Sequence, residues 1–234
     1  IHGIAADHAL FRGEHDVELG PFAFILWQRQ DVGNTLIIAQ RKEVDHRASL
    51  GLRATFGQLP DLHAIDAAGI GEEQHGVVRR SYEHFDHGVF VPLKVAFPDA
   101  QIPTLQISLK KGLDPQFHLE LGEALAPLRH EGVLIVGSGM SFHNMRGYGD
   151  KRFTPLSEAF DDWLTDTVEG DSGIRYQRLR KWVQAPHALD CHPHGDEEHL
   201  IPLLVAAGAA GEEPGKKVYS ERVMETQLSA FQFG

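Results

Sequence analysis

Cysteine is nearly absent from this sequence of 234 residues: Cys191 stands alone, so no internal disulfide can form. A chain without disulfides suits a reducing compartment, and a cytoplasmic location is the expectation. Long apolar runs are missing too. The longest, residues 200–211, is shorter than the roughly 20 residues a helix needs to cross a bilayer, so no membrane partner is expected. Positive charge is in deficit. A net charge of −11 argues against a nucleic-acid partner, which would want a basic stripe. The opening Ile1-His2-Gly3 offers neither a basic n-region nor an apolar h-region, and no signal peptide is expected. No internal repeat or low-complexity tract is visible. The metalloprotease motif H-E-x-x-H is lacking as well: His130-Glu131 is followed by Gly132-Val133-Leu134, with no second histidine, which weakens a zinc-hydrolase reading.

What the chain does have is histidine, 15 of them. Histidine is the commonest metal ligand and the side chain best placed to exchange protons near neutrality. Those in the first third, His2, His8, His15, His46, His63, His75 and His84, show no ligand spacing. The densest stretch is Cys191-His192-Pro193-His194-Gly195-Asp196-Glu197-Glu198-His199-Leu200, three histidines and three carboxylates running into an apolar segment. Asp196 reads as an N-cap, with Glu197 and Glu198 in the first helical turn and Leu200, Leu203 and Leu204 forming a buried face. His199 then stands where the polar end of the helix meets its apolar body. A capped helix with a polar first turn is the plain alternative to a functional site.

Elsewhere the pattern is that of an α/β protein. Residues 22–27 and 35–39 read as short strands split by Gly33-Asn34. Residues 104–109 alternate like a strand. Asp114 and Pro115 mark the N-cap and first position of a helix that carries Phe117, Leu121, Leu125 and Leu128 inward and ends near Gly132. Residues 133–136 are a short continuous apolar run, as in a strand covered on both faces. Strand, helix, strand is a right-handed βαβ unit by default, which predicts that the strands at 104–109 and 133–136 are neighbours. Helices are expected at 157–168, with Ser157 as N-cap, and at 174–183; their Phe160, Trp163, Tyr176, Leu179 and Trp182 are core or lid residues. Residues 217–223 and 227–233 predict an edge hairpin. The length fits one α/β domain or two small ones. The expectation is a single domain over 1–234, with a mixed, mostly parallel central sheet and helices on both faces.

The strand at 133–136 runs into Gly137-Ser138-Gly139-Met140-Ser141-Phe142-His143-Asn144. Ligands of open α/β sheets sit beyond the carboxyl ends of the strands, and His143 lies there. A dinucleotide fingerprint would need glycine at Phe142, and a nucleophile elbow would need glycine at His143. The glycines are therefore expected to let the backbone turn so that His143 points into a cleft. The alternative is a hydrogen-bonded loop histidine.

Three stretches together carry a family resemblance: Phe85-Asp86-His87-Gly88, Gly137 to Arg146, and Glu197-Glu198-His199-Leu200-Ile201-Pro202-Leu203. In this order they resemble the class III extradiol ring-cleavage dioxygenases, in their DOPA-dioxygenase-like branch, whose fold is shared with the catalytic subunit of protocatechuate 4,5-dioxygenase. The resemblance covers residues 84–234; residues 1–83 are atypical. It implies an oxidoreductase that cleaves a small catecholic substrate with O2 at one non-haem Fe(II) or Zn(II) ion, as a monomer or homo-oligomer. By the same resemblance His199 is a metal ligand, His143 a ligand or a base at the metal's edge, and His87 a second acid/base group. Glu198 either ligates or, the favoured role, orients His199. Imidazole suits iron and zinc alike, so residue type does not choose the ion.

The N-terminal part departs from the pattern. The family carries two further histidine ligands there, one in a His-Gly-rich loop and one in a Ser-Ala-His-Trp motif. Here Ile1-His2-Gly3 has no preceding strand, and Gln40 and Arg41 stand where the second histidine is expected, with His46 the next along. The alternative function is accordingly a non-catalytic or impaired relative with an incomplete metal site, binding an aromatic ligand or a partner chain.

Overall fold

A computed structural model describes residues 23–26, 35–40, 87–98, 104–131 and 133–234. Helices and strands mix in the α/β manner. Among the described residues six strands form one sheet: β1 (Ala23–Leu26), β2 (Thr35–Gln40), β3 (Thr104–Ser108), β4 (Val133–Ser138), β5 (Gly215–Val223) and β6 (Thr226–Phe233), in the spatial order β3-β2-β4-β1-β6-β5. β2 runs parallel to β3 and β4, and β1 runs parallel to β6; the pairs β1–β4 and β5–β6 are antiparallel. The helices are α1 (His87–Ala96), α2 (Pro115–Leu125), α3 (Thr154–Val168), α4 (Ser172–Leu179), α5 (Ala188–Cys191) and α6 (Ile201–Ala210). None of the described helices is long and apolar enough to cross a membrane.

β4 is an interior strand whose Val133, Ile135 and Val136 are all buried, which is why its sequence is apolar without alternation. The expected adjacency of the strands at 104–109 and 133–136 is corrected. β3 and β4 share the sheet and both run parallel to β2, but β2 lies between them. The crossover through α2 therefore skips one strand, and local sequence cannot show that a strand from far upstream fills the gap. The strands read at 22–27 and 35–39 also do not pair with each other: β4 separates them, and Gly33-Asn34 lie outside the described residues.

α2 begins as expected, with Asp114 accepting a hydrogen bond from the Gln116 amide at 2.9 Å and Pro115 in the first turn. A 3-10 segment, Ala126–Glu131, extends it towards Gly132. Two other helix starts need correction. α3 begins at Thr154, after a 3-10 turn capped by Asp150, and Ser157 is inside its first turns, donating to the Thr154 carbonyl and accepting from the Gln227 amide. Asp171 caps α4 at Ser172, earlier than 174, and the helix ends at Leu179; Trp182 belongs to a separate 3-10 turn. The hairpin β5–β6 lies as expected, with β5 at the sheet's edge. It turns through Met224 and Glu225, both at positive φ, 49° and 67°.

α6 organises the interior. Every one of its residues is buried, so it has no polar face. It packs against α2 and over β4 at three glycines. A Cβ on Gly122 would come within 3.0 Å of the Val205 carbonyl, one on Gly208 would strike the Leu119 carbonyl, and one on Gly137 the Pro202 carbonyl. Gly137 therefore serves a close backbone approach rather than the tight turn expected of it.

Gly208→Ala should lower the unfolding free energy by about 3 kcal/mol, because backbone on both sides leaves the methyl nowhere to go. The check is the urea midpoint at unchanged slope. An unaltered midpoint would mean that the two helices part at little cost.

Candidate functional site

Beyond β4 the chain runs without regular structure from Gly139 to Asn144, yet it is held at nearly every residue. The Met140 amide donates to the His199 carbonyl at 2.9 Å, and the His143 amide to the Cys191 carbonyl at 3.0 Å. The Asn144 side-chain amide donates to the Asp190 carbonyl at 2.7 Å. His192 reaches the Ser141 carbonyl from its Nε2 at 2.9 Å, and the Ser141 hydroxyl accepts from the Ser229 amide at 2.8 Å. Tyr148 donates its hydroxyl to the Phe142 carbonyl at 3.0 Å. Two segments far apart in sequence, 140–144 and 190–199, are thus tied mainly through backbone carbonyls.

The result is a face-to-face pair. The rings of His143 and His199 lie 3.4 Å apart between centroids and 14° from parallel. His199 is the last residue of a 3-10 turn, Glu197–His199, which leads into α6. Its Nδ1 lies 3.4 Å from a Glu198 carboxylate oxygen, with the two side chains only 11% and 14% exposed. Asp196 stands at the N-cap position of this turn as expected, but its side chain makes no capping hydrogen bond. Glu197 instead binds back to the loop before the turn, accepting from the Gly195 amide at 2.6 Å and meeting His194 Nδ1 at 2.8 Å.

His87 is the first residue of α1. The Ser138 hydroxyl donates to the Gly88 carbonyl at 2.6 Å, so the start of α1 is bound to the last residue of β4, at the edge where His143 stands. His2, His8, His15 and His46 lie outside the described residues.

Among the described residues no three His, Cys, Asp or Glu side chains gather closely enough to hold a metal ion. The donors at hand are of the right type for iron or zinc, two imidazoles with a carboxylate beside one of them. Their number falls short of the three protein ligands usual for a catalytic metal. Orientation adds a condition. A nitrogen lone pair lies in the plane of its ring, and planes only 14° from parallel at this spacing do not meet within a metal–nitrogen bond of about 2 Å. The stack as it stands therefore offers one ring to an ion and lays the other against it.

The positions that sequence reasoning missed are His192 and Asn144. His192 is fully buried, edge-on to Trp182 and Phe160 at 5.7 and 5.5 Å. Burial pushes its imidazole down to about 4, so it is neutral in the fold. His118, also fully buried, is lowered by burial as well, against a raising hydrogen bond to the Asp114 carbonyl. It accepts from the Lys110 amide at Nε2, which fixes its proton on Nδ1.

Comparison with known proteins follows the same lines. The family model described as the catalytic LigB subunit of aromatic ring-opening dioxygenase matches residues 62–232. The chain belongs to this family. Its relatives place it among the class III extradiol dioxygenases, in the DOPA-dioxygenase-like branch, a family of non-haem, metal-dependent proteins. It is 35% identical over 184 residues to dioxygenase tasH of Hapsidospora irregularis, covering 73% of this chain and 55% of that one. It is 43% identical over 130 residues to 4,5-DOPA dioxygenase extradiol of Beta vulgaris, covering 54% and 47%, and 32% identical over 134 residues to the protein of that name in Escherichia coli, covering 56% and 49%. The chain spans about half the length of the curated relatives it matches. Among solved structures, that of an uncharacterized Escherichia coli K12 protein superposes with a TM-score of 0.63 over 85% of this chain and 84% of that one, at 21% identity, a likeness of fold.

Because His192 is neutral when folded and takes a proton below about 6.5 when unfolded, the unfolded chain binds more protons as pH falls from 6.5 to 4. Stability is full above 6.5 and should fall through that window, by about 3 kcal/mol at most from this group. His118 acts in the same direction. Urea midpoints at pH 7 and pH 5 should differ less in His192→Gln than in the parent; equal differences would show that His192 is not the group responsible.

Proposed function

We propose that the protein is an enzyme, an extradiol dioxygenase that opens the ring of a small catechol with O2 at one Fe(II) or Zn(II) ion. The observation that carries this reading is the His143–His199 stack at the end of β4, in a chain of this family. His199 would hold the ion, with the Glu198 carboxylate beside its Nδ1 to orient the ring. His143, lying against it, serves as a ligand or as the base that takes a catechol hydroxyl proton on a ring nitrogen. His87, at the head of α1, is the second acid/base group. When bound, the ion lowers the pKa of the catechol hydroxyl and fixes the diol. The third protein ligand comes from outside the described residues, with His2, His8, His15 and His46 as candidates.

In this reading the chain is one domain over 1–234, with helices on both faces of its mostly parallel sheet. It works in the cytoplasm as a monomer or homo-oligomer, on a small substrate rather than a nucleic acid or membrane.

The test is O2 consumption and ring opening by the dialysed protein reloaded with Fe(II) or Zn(II), given DOPA, catechol and protocatechuate. Stoichiometric Fe(II), the redox-active of the two ions, with no O2 uptake on any catechol would overturn the reading. His199→Ala should abolish metal binding. His87→Ala should keep the metal and lower kcat by about 10²-fold or more, as for a lost acid/base group. Equal metal loss in both variants would end that division of roles.

A further inference from the structure

We infer that His192 is a positioning residue: its Nε2–H, donated to the Ser141 carbonyl, holds the segment 140–144 so that the His143 ring lies on His199. The inference rests on the functional reading for its consequence in catalysis, but its structural half stands on geometry alone. The acceptor is a carbonyl, so Nε2 carries the hydrogen and the ring is fixed in one tautomer. The ring cannot swing away, because it is fully buried and meets Trp182 and Phe160 edge-on. Ser141 is bound from its other side by the Ser229 amide of β6. Two residues on, the His143 amide bonds to Cys191, the neighbour of His192, and Asn144 bonds to Asp190. His192 and Asn144 reach across with their side chains from one segment to the other's backbone, while Met140 and His143 do so through main-chain amides.

Its loss would leave the Ser141 carbonyl buried without its donor, two residues before His143. The segment would then have to shift to find another partner. A displacement of about 1 Å at a reacting group can cost on the order of 100-fold in rate.

The test compares His192→Phe, which keeps an aromatic ring between Trp182 and Phe160 but has no donor, with His192→Gln, whose side-chain amide can donate to the same carbonyl. Two readouts are taken on the full chain. The first is the proton spectrum of the His143 and His199 rings in metal-free protein, where stacking shields each ring's carbon-bound protons. The second is kcat against KM for catechol with the metal-loaded protein. The expected result is loss of the shielding in His192→Phe, a fall in kcat on the order of 100-fold with KM within about twofold, and recovery of both in His192→Gln. Unchanged shielding in His192→Phe, or equal damage in the two variants, would overturn the inference. If His192→Phe does not fold, Asn144→Ala removes the neighbouring clasp bond, and its ring signals must move in the same direction. A protein inactive on every catechol that still loses shielding in His192→Phe would support the positioning role while refuting the functional reading.

Discussion

The close seating of α6 is the constraint on which the rest depends. A helix reading Ile-Pro-Leu-Leu-Val-Ala-Ala-Gly-Ala-Ala has no polar face, so it is stable only when enclosed on all sides. Each large side chain it hides contributes about 1.5–3 kcal/mol, and the small residues let neighbouring backbones come within contact distance. Gly122 and Gly208 bring α2 against it, and Gly137 brings β4 beneath its first turn at Pro202. These are backbone-to-backbone approaches, which do not relax by a rotamer change. They therefore set where the 3-10 turn carrying His199 stands relative to the end of β4, from which His143 follows. The Met140–His199 main-chain hydrogen bond is a consequence of that seating.

How much of this was legible in the sequence depends on how local each signal is. Asp114 and Pro115 announced α2 because a cap and its helix are adjacent residues. Ser157 misled because it resembles a cap, while Asp150 and Pro155 upstream had already started the turn. Gly137 was noticed for the wrong reason: a glycine that admits another backbone looks, in sequence, like one that permits a turn. The order β3-β2-β4 was beyond reach, since which strand fills a gap is decided by pairing over long separations. The meeting of His143 and His199 was anticipated only through the order of three motifs, and no periodicity would have given it.

The histidines divide by what their nitrogens do. His118 has both ring nitrogens engaged by backbone, at Asp114 and Lys110, and is a structural part of the α2 start. His192 donates to backbone from one nitrogen inside an aromatic cage. Both are fully buried and neutral, and burial is what keeps them so. His143 and His199 differ in being less completely buried and in lying face to face. A count of 15 histidines could not make that distinction; burial and ring contacts do.

The stack also bears on how work is divided between its two members. A ring can give its in-plane lone pair to an ion or take a proton on it, but not both at once. Near-parallel planes prevent both rings from aiming at one point close by. Equivalent roles for His143 and His199 would require one ring to turn well away from the other, against the clasp that ties residues 140–144 to 190–199. Unequal roles require no such movement. His199 has Glu198 at its Nδ1 and the buried helix α6 directly after it. His143 sits on an irregular segment held by hydrogen bonds and by the buried ring of its neighbour Phe142. The near-parallel stack, with the Glu198 carboxylate beside one ring only, therefore supports the proposal of unequal roles, His199 as ligand and His143 as base.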